Sequence, residues 1–107
     1  MSREARCMIE AVAGAARIRT EDLWRVDALH GIERRIATTA RRIAVYMLHS
    51  TCGMSQPEAS KPFGLDPSGA SYIAKDYEDL RDEPSFEALI RRIEATWRDY
   101  VDSGSFA

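Results

Sequence analysis

Four arginines stand at a spacing that can grip a row of phosphates. Arg34 and Arg41 are seven residues apart, and so are Arg35 and Arg42. On a helix of about 3.6 residues per turn each pair projects in nearly one direction. Guanidinium groups so placed offer planar sets of donors to the oxygens of a polyanion. The segment that carries them, residues 32–50, has helical periodicity: Ile36, Ala40, Ile43, Ala44, Met47 and Leu48 form one apolar stripe, and neither arginine pair falls in it. Two ridges of cations away from a core face are the result. A merely solvated charged face would look the same on an isolated helix, so the neighbouring segments decide its meaning.

Downstream, the residues able to read a base cluster in one stretch. Ser55-Gln56-Pro57-Glu58 restarts a helix after the break at 51–54, with Ser55 and Glu58 as a reciprocal capping box and Pro57 in the tolerant first turn. Pro62 and Gly64 close that helix within two turns. Asp66-Pro67-Ser68 opens the next, with Asp66 as cap and Pro67 at the first helical position. Its apolar stripe is Ala70, Ile73, Ala74, Tyr77 and Leu80. Residues 56–75 therefore predict two short helices joined by a glycine turn, the pattern of a DNA-binding helix-turn-helix. Ser60 is small where the helices cross, and Gly64 suits a turn that needs positive φ. The second helix would carry Ser68, Gly69, Ser71 and Tyr72 into a major groove, with Lys75 adding a cation and Pro57 at the entry of the first helix. Free N–H groups at its start suit a phosphate.

The remaining elements must hold this pair in place. Arg3 to Ala13 sets Ala5, Met8, Ile9 and Val12 on one helical face, and Gly14 is expected to end the helix. Thr20 is expected to cap a short helix begun by Glu21 and Asp22. A polar break over 81–85 precedes a last helix whose Phe86, Leu89, Ile90, Ile93, Trp97 and Tyr100 point inward. No alternating strand pattern occurs. The fold class is all-α: one domain, residues 1–107, forming a compact bundle of about five to six helices that contains a helix-turn-helix.

Composition narrows the function. The chain is 45% hydrophobic and 30% charged, the balance of a globular protein. Its net charge of −2 is divided unevenly: residues 1–50 hold nine arginines against six acids, and residues 51–107 hold six cations against eleven acids. Such polarity can present a basic surface to phosphates. Met1-Ser2-Arg3-Glu4-Ala5-Arg6 lacks the apolar run of a signal peptide, and no stretch reaches membrane-spanning length, so a cytoplasmic, nucleoid-associated location is expected. Cys7 and Cys52, with His30 and His49, have neither metal-ligand nor catalytic spacing, and are read as ordinary packed or surface groups. No cofactor and no enzymatic activity are expected.

Taken in order, four segments resemble the C-terminal DNA-binding domain of the bacterial replication initiator DnaA, across roughly residues 6–98. Met8-Ile9-Glu10-Ala11-Val12-Ala13 with Ile18-Arg19-Thr20-Glu21-Asp22-Leu23 is similar to that family's first helix and acidic-leucine segment. Residues 40–48 are similar to its long central helix, and Thr51 to Glu58 with Phe63-Gly64 to the start of its helix-turn-helix, Pro57 included. The resemblance implies a Trp-repressor-like helical fold, and contacts to the minor groove and phosphates from Arg34 or Arg35 and from Arg41, with Arg42 beside it. Gly64-Leu65-Asp66-Pro67-Ser68-Gly69-Ala70 departs from the family's Gly-Arg-Asp-His-Thr-Thr-Val signature: the aspartate remains, while the arginine and histidine that read bases are replaced. No Gly-x-x-x-x-Gly-Lys-Ser/Thr loop is present in these residues, so no nucleotide is implied.

Two functions follow from these residues. The first is sequence-preferring binding of double-stranded DNA in the control of replication initiation or transcription. With few side chains able to make bidentate base contacts, each contributing about 1–3 kcal/mol of discrimination, specificity should be modest and salt dependence strong. The second is a protein-interaction module that kept the scaffold and lost DNA, its partner another regulatory or replication protein. Asp66, Asp76, Glu78 and Asp79 favour the second, because they place negative charge on or near the reading helix.

Overall fold

A computed structural model describes residues 1–106. Among them are six α-helices and no strand. They are α1 (Arg3–Ala16), α2 (Thr20–Trp24), α3 (Gly31–Ser50), α4 (Gln56–Ser60), α5 (Pro67–Leu80) and α6 (Pro84–Asp102), with one 3-10 turn after α2 and another after α4.

α3 is the axis of the bundle, and its two halves differ. From Ile43 to Leu48 every residue is buried, because α1, α4 and α5 enclose that half from different sides. In the first half only Ala37 and Ala40 are buried. Ile36, placed in the core stripe by its spacing, stands 40% exposed, because it borders open depressions between α3, the end of α1 and α2. Leu80, also expected inside, lies at the last turn of α5 and is 40% exposed. Periodicity identifies the apolar side of a helix. How far a neighbour extends along that side is a tertiary matter.

Helix ends follow the same logic. Gly14 does not stop α1; the helix continues to Ala16, and Arg17 takes the left-handed conformation at φ 58°. The Ile18 N–H donates to Ala13 O and the Arg17 N–H to Gly14 O, both at 3.1 Å, which makes a Schellman end. Ile18 packs against the core from there. That burial offsets the roughly 1–2 kcal/mol of a non-glycine residue in this region. Thr20 is not the cap of α2 but its first residue, and its hydroxyl donates to Glu10 Oε2 on α1 at 2.8 Å. Asp22 caps instead, accepting from the Arg19 N–H at 3.3 Å. Ser85, assigned to the polar break, lies within α6, which opens at Pro84.

The expected caps of the central pair are present. Ser55 Oγ accepts from the Glu58 N–H and Glu58 Oε1 from the Ser55 N–H, each at 3.2 Å. Asp66 Oδ1 accepts from the Ser68 N–H at 2.9 Å. Gly64 turns the chain between α4 and α5 at φ 66°. Ala59 and Ser60 are buried where the elements meet, and Trp24 stacks on Phe63 at 4.9 Å, tying α2 to the turn.

Two further ties hold α5 and α6 in position. Buried Tyr46 donates its hydroxyl proton to Glu78 Oε2, and Arg81 reaches both the Tyr46 hydroxyl (3.4 Å) and Glu87 (2.6 and 2.9 Å), so one cluster joins α3, α5 and α6. Burial together with the acidic neighbour raises the phenol above its ordinary value. Tyr46→Phe removes the hub and leaves the ring. A loss of about 1–2 kcal/mol is expected, seen as a fall of roughly 4–16 °C in thermal midpoint. At the opposite end, Arg3 donates to the carbonyl oxygens of Tyr100, Val101 and Ser105 at 2.7–2.9 Å, which satisfies acceptors at the end of α6.

Candidate nucleic-acid interface

Where α5 starts beside the middle of α3, the two helices leave a groove of about 470 Å³. Arg41 and Arg42 form one wall. Ser68, Gly69 and Tyr72 form the other, with Leu65, Ile73 and Tyr77 as its apolar part. Two segments separated by some twenty-six residues of sequence, each a candidate on its own, are thus brought face to face.

The first turns of α5 present their outer side to solvent. Ser68, Ser71, Tyr72 and Lys75 follow one another at i, i+3, i+4 and i+7 and are all exposed, Tyr72 at 73%. Ala70 is buried on the other side, with Ile73 and Tyr77 partly buried against the core. The Ser68 hydroxyl is already engaged, donating to Asp66 Oδ1 at 2.8 Å. Its oxygen remains free to accept. The same two Ser68 donors hold the Asp66 carboxyl below its usual range. Burial pushes the Tyr77 phenol up, against the pull of Arg42.

Arg41 is the unusual member of the site. Its side chain is half-buried, and its Nε is the one buried side-chain polar atom without a hydrogen-bond partner among the described residues. Leaving such a donor unsatisfied costs about 1–3 kcal/mol, and native folds seldom retain one without a role for it. Arg42 is exposed.

The other expected contacts lie outside this groove. Arg34 is exposed and pairs with Asp27 at 3.3 Å. Arg35 is exposed and lines a separate depression with Ile32 and Ile36. Pro57 is exposed in the first turn of α4. Ser71 and Lys75 stand on the outer side of α5 without lining the groove. Asp76, named from the sequence as negative charge on or near the reading helix, does line it. Its position, four residues after Tyr72 on one helix, was the available signal.

The remaining polar candidates lie outside the groove. His49 Nδ1 donates to Met54 O at 2.8 Å. Cys7 and Cys52 are free thiols, and burial raises the Cys52 pKa to about 11, which keeps it protonated and unreactive at neutral pH. Among the described residues no group of three or more His, Cys, Asp or Glu could hold a metal ion, and no helix is long and apolar enough to cross a membrane.

No family model, curated protein or solved structure matches the chain.

Proposed function

We propose that this chain binds double-stranded DNA, with α5 reading a groove of the duplex while Arg41 and Arg42 hold an adjacent phosphate run, in the control of replication initiation or transcription. The observation that carries the reading is the meeting of Arg41 and Arg42 with the exposed start of α5 across one groove. A phosphate there draws the Arg41 guanidinium outward and gives its unpartnered Nε–H an acceptor. Tyr72 and Lys75 are the long exposed side chains on the outer side of α5, and Ser71 with the accepting oxygen of Ser68 supplies short polar contacts. This division of labour, single short hydrogen bonds from α5 against charge-assisted phosphate contacts from Arg41 and Arg42, gives modest specificity and a marked salt dependence. The likeness of four sequence segments to the initiator's C-terminal domain supports the same reading.

The test is a fluorescence-anisotropy titration of labelled duplexes at two salt concentrations, one carrying the initiator's recognition box and one scrambled. Binding to both that weakens steeply with salt supports a retargeted DNA binder, and preference for the box supports a direct part in replication control. Absence of binding to either at low salt overturns the reading.

Asp66 and Asp76 in the groove favour a second reading, in which the same surface holds a protein. Heparin chromatography separates the two, because a DNA binder is retained and an acidic interaction module is not. On the DNA reading Asp76 is an electrostatic brake. At roughly 8 Å from a phosphate a carboxylate costs about 0.5–1 kcal/mol at high effective dielectric. Asp76→Asn should therefore tighten duplex binding about two- to fivefold at low salt, an effect that direct titration reads and that added salt should erase.

A further inference from the structure

We propose that a second copy of this chain docks head to tail on the flank of α3 opposite the arginine groove, its α5–α6 junction seated on Ile32 and Ile36. Ile32 is 70% exposed and Ile36 40%, and with Ile43 they line a depression of about 410 Å³. Around α3 these isoleucines lie about 160° from Arg41 and about 100° from Arg42, so a molecule seated there leaves the arginine groove open. A neighbouring depression of about 800 Å³ shares Ala16 and Ile36 with the first, and Arg17 and Arg25 stand on its rim. Arg35 borders the isoleucines directly. Among the described residues Arg17, Arg25 and Arg35 make no ion pair, whereas Arg19 is engaged by Glu21 at 3.8 Å. Asp22 and Glu33 offset part of this charge, and the rim remains net positive.

The chain carries the complement of this surface. Leu80 is 40% exposed, and Asp79, Asp82 and Glu83 around it are exposed and form no ion pair among the described residues. One surface is an apolar depression with a basic border, and the other is a single exposed leucine with an acidic border. Unlike patches that fit each other make a heterologous contact, which adds copies in sequence. Complementary borders set register and suppress like-on-like pairing. A concave depression also suits a projecting leucine better than it suits the flat surface of a bilayer. With so few apolar side chains the contact is smaller than a standard interface, and it should form only at high protein concentration.

Sedimentation velocity on the whole chain without DNA tests this, over about 10–500 µM, the span appropriate to a small interface. Wild-type protein should show a sedimentation coefficient that rises with concentration, less so at high salt. Ile32→Ser and Leu80→Ser change exposed positions and should each stay monomeric alone. An equimolar mixture of the two has one intact groove and one intact leucine patch, and should stop at a one-to-one dimer. A wild-type protein that remains monomeric throughout overturns the proposal. So does either variant that associates as wild type does, or a mixture that stays monomeric. Because no nucleic acid is present, none of these outcomes bears on the DNA reading. Circular dichroism melts confirm that the variants are folded.

Discussion

Arg41→Met should abolish most duplex binding while leaving the fold as stable as before or slightly more so. Stability and function move in opposite directions here because Arg41 holds a half-buried guanidinium with an unpartnered Nε in the groove wall. Methionine keeps the apolar stem and deletes the donor, so the standing cost of the buried N–H disappears. The thermal midpoint is expected to stay constant or to rise by a few degrees, on a scale of about 4–8 °C per kcal/mol. Binding loses a charge-assisted contact of about 1.5–3 kcal/mol, and adding Arg42→Ala brings the loss to about 3 kcal/mol or more, roughly 150-fold. The double variant should also flatten the salt dependence by nearly two phosphate equivalents. Affinity should fall alike for every duplex sequence, since phosphate contacts carry no base information. If the double variant bound as tightly as wild type, the groove would have no part in DNA contact; a large drop in midpoint for Arg41→Met would make Arg41 a structural residue.

The contrast between Arg41 and Gly14 shows what could be read in advance. Local chemistry was sufficient wherever a segment satisfies itself: the Ser55–Glu58 box, the Asp66 cap and the Gly64 turn each close within a few residues, and all occur as their sequences suggest. Gly14 was misleading because the end of α1 is settled by the burial of Ile18, and Thr20 because its hydroxyl finds Glu10 on another helix. Arg3 bonded to carbonyl oxygens at 100, 101 and 105 has no local signature at all. The site divides in the same way. Helical spacing was enough to give the outer side of α5, with Ser68, Ser71, Tyr72 and Lys75. That Arg41 and Arg42 rather than Arg34 and Arg35 face it depends on where α5 crosses α3. Asp76 was legible from its spacing to Tyr72, once that helix had been placed against the arginines.

The largest effect on the fold is expected far from the groove. Ile90 is fully buried in α6, whose inner face packs on α1, and neither helix lines the groove. Ile90→Ala removes three carbons and leaves a cavity that the close-packed surroundings fill only in part, a loss of about 2–5 kcal/mol. A domain of this size has about 5–15 kcal/mol in all, so the variant should melt roughly 8–40 °C lower and a measurable fraction should unfold at growth temperature. The molecules that remain folded keep α3 against α5 through Tyr46, Glu78 and Arg81, and should bind a duplex with unchanged intrinsic affinity. Titration at low temperature should then give the wild-type dissociation constant, whereas titration near the new midpoint gives a value weakened by the unfolded fraction alone. A loss of affinity at low temperature, with the chain fully folded, would show instead that α6 sets the geometry of the groove. The two variants therefore separate a residue that holds the ligand from one that holds the scaffold.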